Sequence, residues 1–150
     1  MNKEFTLYAS IIVSLVGVLV TAFLTRQANK RQKDSIIKDL FKEFNERYGN
    51  LNDDLHYIKD NYLTLDSLRT ISTNRKYLNS IYDYLDLSAE EYYWWKHKKV
   101  IDKVIWKSWH TGMVYWYNEL PALREIWEEE KKAKNLVSYY LKDGEDFFKI

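Results

Sequence analysis

Cysteine is absent from all 150 residues. Disulfides, thiolate nucleophiles and Cys-ligated zinc are thereby excluded, and the lack fits a chain kept in a reducing cytoplasm. Proline occurs once and glycine four times. With so few turn formers and little strand-like alternation, long helices joined by short connections are expected. Histidine is scarce too: His56, His97 and His110 stand alone, with no His-x-x-x-His or Glu-x-x-His pair to build a zinc or di-iron site. Glycine-rich phosphate loops, a Gly-x-Ser-x-Gly elbow and a dinucleotide fingerprint are all missing. The sequence therefore implies no cofactor and reads as a protein without catalytic activity.

Aromatic residues, by contrast, make up 17% of the chain. That is far more than a disordered segment carries, so most of the chain should fold around them. The net charge of +1 hides an asymmetry. Arg26, Lys30, Arg31 and Lys33 stand together without an acid, whereas residues 34–150 hold 18 Lys/Arg against 21 Asp/Glu. A mildly acidic domain lacks the basic field that nucleic-acid binding needs, so no nucleic-acid partner is expected.

Phe5 to Leu24 (FTLYASIIVSLVGVLVTAFL) is uncharged. Twenty such residues, as a helix of roughly 30 Å, would match the hydrocarbon core of a bilayer. The expected organisation is a short extracytoplasmic N-terminus at 1–4, a transmembrane helix at 5–24, a basic juxtamembrane segment at 25–33, and a cytoplasmic helical domain at 34–150. The four cations set the direction through the positive-inside rule and would meet anionic head groups. The predicted place is thus the cell membrane, crossed once. Within the segment Ser10, Ser14, Gly17 and Thr21 recur at helical spacing, a small-residue stripe that would let two such helices approach and self-associate.

The fold class expected for the remainder is all-α, an aromatic-rich bundle of about four to six helices. Ile37, Leu40, Phe44, Tyr48, Leu51, Leu55, Ile58 and Tyr62 form one apolar stripe. It suits a coiled-coil seam or a wall of the domain's own core, and the supply of aromatics downstream favours the core. Gly49-Asn50 offers a helix break. Residues 63–74 read as a connection with a short helical turn, and a helix is expected from Arg75 to Asp86. Ser88-Ala89-Glu90-Glu91 has the spacing of a capping box, starting a fresh helix through Tyr92–Trp95. Ile101, Ile105, Trp109, Met113 and Trp116 share a face, with Gly112 small enough to admit a neighbouring helix. Pro121 suits the first turn of a helix to about Lys132. Leu136–Leu141 is a last helical candidate.

Chemistry-bearing groups are sparse. Asp53-Asp54, Asp83 with Asp86, and Glu90-Glu91 invite a general acid–base reading, but acids near helix starts are expected from the helix dipole alone. His56 follows Asp53 by three residues, and His110 sits among tryptophans as a core histidine would. Lys96, Lys98, Lys99, Lys103 and Lys107 surround Trp94-Trp95, a candidate surface for an anionic partner.

The run Tyr84-Leu85-Asp86-Leu87-Ser88-Ala89-Glu90-Glu91-Tyr92-Tyr93, with Val104–Trp109, Gly112-Met113, Pro121 and Trp127, resembles a bacterial family of small, N-terminally anchored proteins with a Tyr/Trp-rich helical domain of unknown function. The resemblance covers about residues 5–135. It implies the same architecture and a bacterial or phage-related source, and brings no active site. Together these readings lead to a membrane-tethered interaction module for an unidentified protein partner, with the lipid bilayer as its support. The rival expectation is an effector of phage defence or superinfection exclusion that oligomerises through its membrane helix.

Overall fold

The computed structural model describes residues 3–133, 139, 141–142 and 145–149, with side chains from Val13 onward. Among them are five α-helices: α1 (Lys3–Asp60), α2 (Leu65–Thr70), α3 (Arg75–Lys96), α4 (Lys103–Glu119) and α5 (Pro121–Lys132). A 3-10 turn, Ser72–Asn74, joins α2 to α3. The chain divides into two compact units, Met1–Asp39 and Leu40–Ile150.

The all-helical expectation holds for the described residues, but its membrane-spanning part is overturned. Among the described residues no helix is long and apolar enough to cross a membrane. Of the segment 5–24, residues 5–12 lie outside the described side chains. The described apolar stretch, Val13–Leu24, is about 18 Å of helix, against roughly 30 Å of hydrocarbon. Beyond it Arg26, Lys30, Arg31 and Lys33 are exposed on α1. The single-pass membrane placement, with the N-terminus outside and residues 34–150 in the cytoplasm, falls with the span.

In the second unit the apolar stripe of α1 is a wall of the core. Leu40, Phe44, Leu55 and Ile58 are buried, while Tyr62, expected on the same stripe, is 88% exposed beyond the helix end. The helix does not break at Gly49-Asn50 but runs on to Asp60. A single Gly costs a helix only about 1 kcal/mol, which the buried neighbours on either side outweigh. Tyr62 adopts φ 51°, turning the chain into α2, whose start Thr64 caps by accepting from the Ser67 amide at 3.2 Å.

α3 departs from expectation. Instead of two helices meeting at a capping box, one helix of 22 residues runs through Ser88. Nothing in Asp86-Leu87-Ser88 breaks a helix, and a cap would require Ser88 to leave helical geometry. Continuity leaves Ser88 and Glu91 in the buried face beside Tyr84, Leu85 and Leu87. The helix ends at Lys96, with Lys99 at φ 55° in the left-handed role that usually falls to glycine.

Asp102 then caps α4, its carboxylate accepting from the Val104 and Ile105 amides at 2.8 and 2.9 Å. Trp106, Met113 and Trp116 of α4 are buried, whereas Val104 lies outside the core. Pro121 opens α5, which closes at Lys132 as its sequence predicts. α5 sets Trp127, fully buried, against Phe147 and Phe148, at ring-centroid distances of 4.5 and 5.4 Å. The C-terminal segment is therefore packed there, and Asp146 accepts the Trp127 indole N–H at 3.1 Å. The helix expected over Leu136–Leu141 lies outside the described residues except for Tyr139 and Leu141, both buried.

Candidate functional site

A set of ion pairs ties the helices of the second unit together. Arg47 on α1 donates to both oxygens of Glu90 on α3, at 2.6 and 3.3 Å, tying the two helices together. Glu43, four residues before Arg47 on the same helix, makes only a 3.7 Å contact with it. Lys59 meets Glu119 at 2.8 Å and the Tyr115 hydroxyl at 2.7 Å. Asp54, read as half of a carboxylate pair, accepts from the Ser80 hydroxyl at 2.6 Å. Lys131 bridges Glu128 and Asp146. His97 pairs with Glu145 at 3.1 Å, and with Tyr92 at a ring-centroid distance of 5.8 Å.

The other two histidines have turned to aromatics. His56 lies edge-on to Trp116 at 4.9 Å, and no bond to Asp53 forms. His110 stacks on Trp106 at 5.4 Å, and Trp106 also stacks on Trp95 at 4.5 Å. The His110 Nε2 is buried without a described partner. Among the described residues no three His, Asp or Glu side chains are placed to hold one metal ion.

The five lysines singled out from sequence fall at the end of α3, on the connection, and in the first turns of α4, all exposed. Lys96 and Lys98 lie over the rings of Trp95 and Tyr93, at 5.5 and 5.3 Å. Their aromatic neighbours are thus partly covered by the same cations that flank them in sequence.

Ser10 lies outside the described side chains. Ser14, Gly17 and Thr21 are exposed on α1, and Thr21 returns its hydroxyl to the Gly17 carbonyl at 2.8 Å. Around them Val13, Leu15, Val16, Val18, Leu19, Val20, Phe23 and Leu24 are each more than half exposed. A β-carbon added at Gly17 would meet nothing within 4 Å.

Two depressions flank α3. One, about 410 Å³, is lined by Arg47, Asn50, Asp83, Asp86, Glu90 and Tyr139. Here partial burial, then Asp83 and Glu90, raise the Asp86 carboxyl above its ordinary range. This brings the predicted Asp83/Asp86 pair to one rim, where Arg47 supplies the balancing charge.

The other, about 200 Å³, lies between α1, α3 and α4, with Tyr48, Tyr84, Glu91, Ser108, Trp109 and Met113 in its wall. Trp109 is held by Phe41 and Phe44, at 5.9 and 5.5 Å between centroids. Tyr48 accepts the Trp116 indole N–H at 3.0 Å. Glu91 is 8% exposed and makes no hydrogen bond or ion pair with a described residue. Burial lifts its carboxyl to about 8, against the opposing pull of Arg47 and with a further push from Glu90. Tyr84 is likewise raised, first by burial and then by Glu91. Gly112 does not receive a helix. A β-carbon there would meet nothing within 4 Å, because the space beside it is this cavity. The sequence offered Glu91 as a capping residue and as half of the Glu90-Glu91 pair, not as a lone buried carboxyl. The hint that it faces the core was its i, i+3 and i, i+7 spacing from Ser88 and Tyr84, masked by the capping-box pattern.

No family model matches the chain, and no curated protein or solved structure does either.

Proposed function

We propose that this protein is a non-catalytic helical interaction module that associates with further copies of itself through residues 13–24. The observation that carries the reading is the exposed apolar run in the first unit. Eight large apolar side chains between Val13 and Leu24 are each more than half exposed. Exposed apolar surface of that concentration marks an interaction site. Each of these side chains gains about 1.5–3 kcal/mol on full burial.

A second copy of the same helix is the partner that the run itself fits. Its surface carries no charge between Val13 and Thr25, so like segments meet without electrostatic penalty. Ser14, Gly17 and Thr21 keep one side low enough for close approach of two backbones. Symmetric self-pairing is also the commonest route by which one chain covers its own apolar patch. The folded second unit would then be multiplied by assembly, raising its effective concentration toward any further protein partner.

Site-directed photocrosslinking of the full chain, in cells expressing it, tests this. Probes at Leu15 and Leu19 are expected to give homo-oligomer adducts that Gly17→Leu reduces. Adducts lacking a second copy, or none, would overturn the proposal.

A further inference from the structure

The cavity between α1, α3 and α4 combines two features that a ligand could answer. Glu91 is a carboxyl only 8% exposed with no described hydrogen-bond partner, and a polar group held so far from water without one is destabilising. The roughly 200 Å³ beside it is walled largely by aromatic and apolar side chains, which gain dispersion contacts only from an occupant that fits them. The nearest guanidinium relieves the carboxyl only in part, because Arg47 acts on it through charge alone while its Nη1 and Nη2 donate to Glu90. One ligand could meet both.

The wall selects its chemistry. Three aromatic side chains, Tyr48, Tyr84 and Trp109, supply electron-rich faces, and Met113 adds a polarisable sulfur. Lysine, arginine and histidine are missing from this lining, so an anion would face Glu91 without a counter-charge. Hard metal cations want six or more oxygen ligands, and the lining offers a single carboxylate. A weakly hydrated organic cation fits both the aromatic faces and the carboxylate. The volume lies below the roughly 300–1,000 Å³ of drug-sized sites, which limits the ligand to a few heavy atoms.

We propose that this cavity binds a small organic ammonium ion, with Glu91 as its counter-ion and Tyr48, Tyr84 and Trp109 as its aromatic wall. Asn45 and Ser108, both exposed at the rim, form the entrance. Binding is coupled to a proton. Free Glu91 holds its proton near neutral pH. When a quaternary ammonium enters, the carboxyl O–H proton leaves to the buffer and the carboxylate pairs with the incoming charge. The groups that face this exchange are Arg47 and Tyr48 from α1, and Glu90 and Tyr84 from α3. α4 contributes to the lining only Ser108, Trp109, Gly112 and Met113, none of which titrates.

Isothermal titration of the full chain with tetramethylammonium and with choline, in buffers of different ionisation enthalpy near pH 7, tests the assignment. Expected is one-site binding with close to one proton released per cation. Glu91→Gln, neutral and of the same shape, should weaken binding about tenfold or more, one ion pair's worth, and abolish the proton release. Gly112→Val, which fills the cavity from α4, should also weaken it while leaving the helical circular dichroism intact. The proposal is overturned if neither cation binds, if Glu91→Gln binds equally well, or if uncharged 3,3-dimethylbutanol binds as tightly as choline.

Discussion

Replacing Glu91 by glutamine should make the protein more stable, and increasingly so as pH rises. In the folded chain the carboxyl titrates at about 8 in place of 4.5. Between those values the native state keeps a proton that the unfolded chain releases. A carboxyl raised in this way leaves stability intact below about pH 4.5 and removes it progressively up to about pH 8, where the loss levels off. At about 1.4 kcal/mol per pH unit, the full loss is about 5 kcal/mol. Near pH 5 it amounts to about 1 kcal/mol, and near pH 7 to about 3 kcal/mol. Glutamine carries no proton to lose. Its buried amide adds a pH-independent offset, which cancels when one variant is compared at two pH values. Urea unfolding of both proteins should therefore show the variant's advantage growing by about 2 kcal/mol between pH 5 and pH 7. A difference that is the same at both pH values would refute the buried, unpaired state of Glu91 on which the cavity argument also leans.

Other substitutions probe separate joints. Arg47→Met removes the α1–α3 ion pair, whose side chains are each a third exposed, and should cost about 1 kcal/mol in chemical denaturation. It should also raise the Glu91 titration midpoint further, because Arg47 now holds it down; carboxyl-resolved NMR titration would register that shift. Trp127→Ala empties the contact with Phe147 and Phe148 and should cost about 3–5 kcal/mol, with exchange protection lost in both α5 and the C-terminal segment. Asp102→Ala strips the α4 cap and should lower stability by about 1 kcal/mol without changing the Glu91 titration.

What could be read in one dimension was whatever depends on neighbours a few positions apart. Pro121 marks the start of α5, and Lys131-Lys132 its end, because a ring without an N–H and a helix dipole act locally. The stripe from Leu40 to Ile58 declares a core face by its period. The burial of Ile101, Met113 and Trp116 follows from the helical spacing that put them on one face. Composition alone excluded cysteine chemistry. The Ser88–Glu91 pattern shows where such reading fails: its local geometry satisfies a cap and an unbroken helix equally well. With no helix breaker at Asp86-Leu87-Ser88, the burial of Tyr84, Leu85, Leu87 and Ser88 on one face of α3 favours the second. Gly49-Asn50 failed for the same reason, since the burial of Phe44 on one side and Leu55 on the other outweighs a weak local break.

The absence of cysteine, paired histidines and phosphate loops was complete in the sequence, and so was the helical character of the chain. The pairing of charges was not. Arg47 had Glu43 four residues away and took Glu90, 43 positions on, because two helices brought that carboxylate into a two-pronged contact that its own helix could not offer. That choice in turn left Glu91 without a hydrogen-bonded cation, in the wall of a cavity between α1, α3 and α4. A run of residues can state which groups are present. Whether a carboxyl is paired, and what space lies beside it, depends on surfaces that meet only once the chain has folded.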